Sequence, residues 1–151
     1  MPTTIDRVSE HTDEAINRRI LNDTARRIRY YAGHADEIDH RLRQLDEEWD
    51  IERTLEANAA LFGFAGVVLA AGGVRAGLRL SALVTGFLFM HAIQGWCPPV
   101  PVLRRLGVRT AREIELERVA LKALRGDFAG LGRHSVDDVV AARRALEAAR
   151  R

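Results

Sequence analysis

A single cysteine, Cys97, is the residue of this chain whose type most directly offers reactive chemistry. It follows Trp96, precedes Pro98, and has arginines beginning seven residues further along. Positive charge lowers a thiol pKa and raises the thiolate fraction, so a persulfide relay or a redox contact between two chains is one hypothesis. The alternative, which we favour, is a small soft residue packed at a helix end. With one cysteine, an internal disulfide and an all-cysteine metal site within this chain are excluded.

Three polar side chains interrupt otherwise apolar stretches: Asn58, His91 and Gln94. An ionisable residue such as His91 inside an apolar helix is a functional candidate by default. The alternative reading is a histidine that reaches the membrane interface or bonds to a carbonyl. Because all three lie near the same end of two consecutive stretches, we expect them to form hydrogen bonds across the hairpin. His91 falls on another part of the helix surface from Cys97, so no catalytic Cys–His pair is predicted.

The other polar groups form no recognised site, and no metal or cofactor is predicted. Metal-ligand types occur without a known ligand spacing at His34, Asp36, Glu37 and His40. The acidic run from Asp46 to Glu52 is typical of a solvated helix face. Gly72-Gly73 lacks the Lys-Ser/Thr of a phosphate loop, and neither a serine nucleophile elbow nor a zinc-protease helix is present. We therefore expect no enzymatic activity.

Two stretches without Asp, Glu, Lys or Arg must position these side chains: Ala57–Val74 and Leu80–Leu103. At ~1.5 Å per residue the first spans ~27 Å, slightly below the ~30 Å hydrocarbon core of a bilayer. A soluble helix normally meets water on one face. We therefore predict an all-α fold with a membrane hairpin of two short transmembrane helices between Ala57 and Trp96, flanked by amphipathic cytoplasmic helices. A soluble helical bundle is the alternative.

Small residues recur at helical spacing along both stretches, and they let helix backbones approach closely where lipid removes the hydrophobic force. We predict that these stripes face helices, within the hairpin or across a homodimer; chance composition is the alternative. The stripes are Ala59, Gly63, Gly66, Ala70 and Gly73, and Ser81, Thr85, Leu88, Ala92 and Gly95. A tight polar turn over residues 75–79 joins the helices. Three prolines, Pro98, Pro99 and Pro101, end the second one.

The flanks resemble membrane interfaces. Interface anchors are predicted at Trp49, Trp96, Arg104 and Arg105. The last two, with Arg109 and Arg112, form a basic patch. Seven arginines lie near the outer ends of the hairpin against two in the turn, which favours both termini in the cytoplasm. A net charge of +2 is too weak to indicate nucleic acid, and the polar residues 1–10 contain no cleavable signal peptide.

Amphipathic helices are predicted on both sides of the hairpin. The first is expected over residues 13–32 with Thr12 as its cap, and the second runs from Ala35 toward the membrane. That second helix carries an apolar seam at Ile38, Leu42, Leu45 and Trp49. A further helix is predicted over residues 111–124, and a last one over 136–150 behind a capping box at Ser135–Asp138. The resulting domains are an N-terminal arm (1–53), the hairpin with its juxtamembrane helix (54–128) and a C-terminal tail (129–151).

Residues 54–128 resemble the YgaP-like transmembrane domain family. The resemblance rests on the short hairpin, on Gly95-Trp96-Cys97-Pro98, and on the run from Pro101 to Gly107. It implies a bacterial inner-membrane protein, with a homodimer favoured. Family members are fused to a rhodanese sulfurtransferase or stand alone with unknown function. This chain has no cysteine outside the hairpin and no α/β sheet pattern, so sulfurtransferase activity is not implied.

The expected function is that of a small integral membrane module. Its hairpin anchors the chain in the lipid bilayer and oligomerises, and its cytoplasmic helices bind a protein partner. A sulfur-handling or redox membrane protein that uses Cys97 is the alternative.

Overall fold

The structure is a computed structural model that describes residues 7–129, and within that range every regular element is a helix. The predicted all-α class is therefore confirmed for this part of the chain. The elements are α1 (Arg7–Glu10), α2 (Glu14–Tyr31), a 3-10 turn (Ala35–Glu37), α3 (Ile38–Glu47), α4 (Ile51–Ala71), α5 (Ala76–Gln94), α6 (Pro99–Arg105) and α7 (Ala111–Arg125). The helix predicted over 136–150 and its capping box lie outside the described residues.

Side chains that accept hydrogen bonds from free amides set several helix starts. The predicted cap at Thr12 is wrong, because its hydroxyl donates to the Val8 carbonyl at 2.7 Å while Asp13 accepts from the Ala15 amide at 2.8 Å. Asp50 caps α4 by accepting from the Arg53 amide at 2.7 Å. Such contacts satisfy amides that have no partner inside the helix.

The helix predicted from Ala35 toward the membrane ends at Glu47, and α4 begins separately at Ile51. The chain leaves helical geometry at residues 48–50, and the Ile51 amide then donates to the Arg109 carbonyl at 2.9 Å. The Asp50 cap and this bond to a distant carbonyl fix where α4 begins.

Two predicted boundaries of the hairpin are corrected. The turn lies at residues 72–75, where Gly73 has φ +90°, and α5 already begins at Ala76 instead of after a turn over 75–79. The proline run ends α5 as predicted, but α6 begins directly at Pro99. Proline suits the first position of a helix because its fixed φ is helical and its missing amide hydrogen has no partner to lose there.

The described chain divides into two compact units. The first comprises residues 7–22 and Glu48–Ile114, and it contains the hairpin. Its buried apolar cluster is formed by Val8, Ile51, Leu55, Cys97 and Val100. Val8 of the N-terminal segment therefore packs in the same core as the first residues of α4.

Among the described residues, the second unit comprises Asp23–Glu47 and residues 115–129. The predicted seam on α3 is buried at Ile38, Leu42 and Leu45. Within this unit the fully buried carboxylate of Glu117 accepts from Arg27 at 3.1 Å and from Arg41 at 2.8 Å. Charge-assisted bonds of this kind offset the cost of removing a carboxylate from water.

Helices α4 and α5 pack against each other with their backbones in close contact at one crossing. A Cβ atom at Gly66 would overlap the Gly77 carbonyl oxygen and the Ser81 hydroxyl, and one at Gly77 would overlap the Gly66 carbonyl and the Ala70 nitrogen. Ser81 Oγ donates to the Gly63 carbonyl at 2.9 Å. Glycine permits this approach because it has no Cβ.

The predicted small-residue stripes are only partly used inside the hairpin. Gly66, Ala70 and Ser81 lie at the crossing, where they meet Gly77, a residue outside the predicted stripes. The other small residues lie elsewhere. A side chain at Gly63 would meet open space, Gly73 is in the turn, Thr85 and Ala92 are exposed, and Gly95 caps α5.

Both hairpin helices are long and apolar enough to cross a membrane. Only 11% of the most apolar stretch of each is buried inside the protein. Large apolar side chains stand outward, including Phe64, which is 70% exposed, and Phe89, which is 67% exposed. The hairpin is thus not the core of this chain, because its own helices leave most of their apolar surface uncovered.

Candidate functional site at the base of the hairpin

A charged cluster joins the open end of the hairpin to the N-terminal segment. The Nε2 atom of His91, on α5, lies 2.7 Å from a carboxylate oxygen of Glu52, on α4. Arg7 approaches the same carboxylate at 3.6 Å and donates to the Ala92 carbonyl at 2.7 Å. Three helices therefore meet at one carboxylate at the base of the hairpin.

His91 is the most enclosed member of this cluster, with 2% of its surface exposed. A carboxylate only accepts hydrogen bonds, so with Glu52 ionised the imidazole carries its proton on Nε2. Its Nδ1 atom is buried and has no hydrogen-bond partner. The pair therefore links α4 to α5 through one short hydrogen bond at an enclosed site.

The predicted hydrogen bonding among Asn58, His91 and Gln94 is wrong. His91 bonds to Glu52 instead, and Asn58 Nδ2 donates to the Thr54 carbonyl in its own helix at 2.7 Å. Gln94 is exposed. Sequence reasoning missed Glu52 because it was read as part of an acidic solvated face, whereas helical spacing places it one turn below the apolar stretch and facing α5.

Gly95 gives Arg7 its place in the cluster. The residue has φ +74° and its amide donates to the His91 carbonyl at 2.7 Å, which ends α5 in left-handed geometry. A Cβ at this position would overlap the side chain of Arg7. The Gly-Trp-Cys-Pro run is therefore explained here by helix termination and by the passage of an arginine.

Cys97 lies in the apolar core of this unit and is 3% exposed. Burial raises the pKa of its thiol, the backbone amide of Val100 lowers it to a smaller extent, and the charge of Glu52 raises it further. This corrects the expectation that nearby arginines lower the thiol pKa. A protonated, enclosed thiol is a poor nucleophile, and the geometry favours the packing role over the reactive one.

A cavity of ≈ 290 Å³ opens beside Cys97, between α4, α5 and α6. Its walls are almost entirely apolar, and Asn58 is its polar lining side chain. Ligand pockets usually measure ~300–1,000 Å³, so this cavity suits a thin apolar chain better than a whole drug-sized molecule. Sequence reasoning gave no sign of it, because its lining comes from three helices.

The predicted basic patch is corrected at two of its four arginines. Arg104 is 1% exposed and Arg109 is 4% exposed. Arg109 makes a two-pronged contact with Glu48 at 2.7 and 2.6 Å. Arg105 remains exposed. The membrane-anchor role predicted for Arg104 is wrong, since a guanidinium enclosed by protein does not reach lipid headgroups.

The tryptophans flank the same end of the hairpin. Trp49 precedes α4, is 48% exposed, and has the guanidinium of Arg53 over its ring at 4.4 Å. Trp96 follows α5 and is half-buried. Stacked Arg–Trp pairs are favourable at partly wet sites.

Arg104 organises the residues around α6. It donates two hydrogen bonds of 2.7 Å to Glu113, one of 2.9 Å to Asn17 and one of 3.1 Å to the Val108 carbonyl. Burial by itself would raise the pKa of Glu113, but the bonds from Arg104 and Thr110 outweigh it, so the pKa lies below its usual value. Glu113 also forms a capping box with Thr110, with bonds of 2.8 and 3.3 Å.

Among the described residues, no group of three or more His, Cys, Asp or Glu is arranged to hold a metal ion. Comparison of the chain with protein-family models, with curated proteins and with solved structures finds no match. The resemblance to the YgaP-like family therefore rests on the residues quoted for it alone.

Proposed function

We propose that this chain is a small integral membrane protein whose α4–α5 hairpin spans the bilayer and whose flanking helices are cytoplasmic. We call the charged end of the hairpin, with α1, α6 and the start of α7, the base. One observation supports this proposal above the others: the apolar stretches of both helices leave most of their surface uncovered. Burial of apolar surface is worth roughly 25 cal/mol per Å², so helices of this kind require a non-aqueous surrounding. Lipid tails supply it without any further protein.

The charge pattern supports the same placement. The charged groups of the base lie around the starts of α4 and α7 and at the end of α6, and most are paired within the protein. Arg75 and Arg79 lie at the opposite end, at the turn and in the first turn of α5. The surplus of arginine at the base supports the proposal that both termini lie in the cytoplasm, by the positive-inside rule.

The module anchors and assembles, and we propose a homodimer in a bacterial inner membrane. Gly63 and Gly86 have open space where a side chain would stand, which leaves small-residue surface for a second hairpin after the internal crossing is formed. The exposed helical surfaces of the base are the proposed contact for a cytoplasmic protein. A soluble bundle is disfavoured because it would bury α4 and α5, and thiol chemistry is disfavoured by the burial of Cys97.

Membrane fractionation tests the proposal. The full chain, expressed in a bacterium, should sediment with membranes, stay there through alkaline carbonate, and dissolve in mild detergent. A matched variant carrying Phe64→Glu and Phe89→Glu should fail to insert, since each charge costs roughly 2.5–3.5 kcal/mol near the centre of a membrane helix. Recovery of the unmodified protein in the supernatant, monodisperse without detergent, would refute the proposal.

A further inference from the structure

We propose that the cavity beside Cys97 holds one acyl chain of an anionic glycerophospholipid from the leaflet that faces the base. This inference rests on the proposed membrane function. The cavity is walled by residues of three helices in the same unit: Leu55, Ala59 and Phe62 of α4, Phe87 of α5, and Leu103 of α6. An apolar wall with one amide side chain offers no partner for a charged or strongly polar ligand.

The cavity reaches the surface that lipid would solvate. Phe62 is 50% exposed and Asn58 is also exposed, so the cavity is open on that side. Along α4 these residues lie two to three helical turns from Ile51, and the end of α5 and the start of α6 supply the opposite wall. The cavity therefore runs from the headgroup level into the apolar layer, the direction that an acyl chain follows.

Its dimensions favour an acyl chain over a second copy of the protein. An α-helix with its side chains is ~10–12 Å across, which a cavity of ≈ 290 Å³ does not accommodate. A flexible chain of methylenes is thin enough to enter. The end of α6 also exposes apolar surface, because Val102 is 56% exposed and Leu106, directly after the helix, is 74% exposed.

Exposed arginines on the helices that line the cavity select the headgroup. Arg105 ends α6, is exposed, and has no ion pair among the described residues. Arg53 lies in the first turn of α4, is exposed, and has its guanidinium 4.4 Å from the ring of Trp49. Guanidinium groups bind phosphate oxygens in a forked geometry, and juxtamembrane arginines attract anionic lipid.

Photocrosslinking in vesicles tests the inference. The full chain is reconstituted into phosphatidylcholine vesicles that contain phosphatidylglycerol with a diazirine at mid-chain, and crosslinked positions are mapped by mass spectrometry. Crosslinks should concentrate at cavity residues relative to Phe64, which is exposed on the same helix. Ala59→Phe should lower the cavity yield several-fold, whereas Ala60→Phe, at an exposed position outside the cavity, should leave it unchanged. Leu88→Phe fills the cavity from α5 and replaces Ala59→Phe where that variant fails to insert.

A headgroup arm examines the arginine contribution. In this arm phosphatidylcholine and phosphatidylglycerol both carry the mid-chain diazirine. Arg105→Gln should lower the share of phosphatidylglycerol among the crosslinked lipids toward its share in the vesicle, and Arg19→Gln, an exposed arginine of α2, should not. Uniform crosslinking along α4, equal yields in Ala59→Phe and Ala60→Phe, or cavity crosslinks to a second protein chain would overturn the inference. A protein that inserts but shows these results loses only the lipid site, whereas a protein that never joins the vesicle contradicts the membrane proposal itself.

Discussion

The two ends of the α4–α5 hairpin are held by opposite kinds of contact. Near the turn, Gly66 and Gly77 bring backbones together with no side chain between them, and one hydroxyl, of Ser81, bonds to a carbonyl. At the base, a carboxylate on α4 meets a histidine on α5 and an arginine of α1. Close backbone packing thus holds the two helices together where no other protein surrounds them. Charged side chains occur at the end where additional helices cover them.

The same contrast explains which charges the base tolerates. Arg104 is enclosed, yet it bonds to a carboxylate, an amide oxygen and a carbonyl. A buried charge is costly unless partners replace the water it loses. In the apolar stretches of the hairpin such partners are few, and the sequence has no Asp, Glu, Lys or Arg from Ala57 to Val74.

Removal of Arg104 should give the largest loss of stability and would break the base while leaving the hairpin crossing intact. Arg104→Met should lower the free energy of unfolding by about 3 kcal/mol, because it leaves Glu113 largely buried without its charge partner. Detergent-solubilised protein titrated with SDS, followed by tryptophan fluorescence, measures the change. Arg105→Met, at an exposed neighbour, should change it by less than ~0.5 kcal/mol. Equal effects of the two variants would show that Arg104 is not enclosed as described.

A methyl group added at Gly77 tests the close backbone contact at the crossing of α4 and α5. Gly77→Ala should lower the free energy of unfolding by ~1–3 kcal/mol, because the new Cβ meets backbone atoms of α4 that have no room to move aside. Gly86→Ala is the matched control, since the same methyl group on the same helix meets open space. The SDS titration reads both variants. Should they behave alike, the close approach of the two helices is not what holds the hairpin together.

The sequence predicted the elements of this fold better than their contacts. Charge-free stretches, prolines and capping residues act locally, so α2, α4, α5 and α7 could be expected with boundaries a few residues off. The partners of Arg7 and Arg104 lie on other helices, at Glu52 and Glu113. No periodicity indicates which carboxylate an arginine will meet, because that depends on how the helices pack.

The candidate site shows the same limit. Cys97 and His91 could be singled out by residue type, but thiol burial and the bond to Glu52 depend on three-dimensional neighbours. Arginines near Cys97 in sequence suggested a reactive thiol, yet Arg104 and Arg109 are paired with carboxylates. Charge that is already neutralised by a partner does little for a thiolate.

Acid should weaken the base before it affects the crossing. The pKa of Glu113 is lowered in the folded state, so the carboxylate contributes stability above its unfolded pKa of ~4.3. That contribution disappears as the pH falls through the lower, folded pKa. The SDS concentration at the unfolding midpoint should therefore fall when the pH is lowered below about 4 in the unmodified protein. It should fall less in Glu113→Gln. The difference between Gly77→Ala and Gly86→Ala should not depend on pH, because neither crossing helix offers a titrating group there.

The smallest expected effect concerns the cap of α7. This cap is formed by Thr110 and Glu113, and Glu113 is also a charged residue of the base. Thr110→Ala removes the hydroxyl that accepts from the Glu113 amide and should lower the free energy of unfolding by ~1 kcal/mol. Thr110→Ser keeps an acceptor at the same atom and should retain most of the stability. Because Glu113 also takes part in the Arg104 pair, the losses in Thr110→Ala and Arg104→Met should not add in the double variant. Strict additivity in the SDS titration would mean that the cap and the ion pair act independently, and the base would then be a set of separate contacts instead of one network.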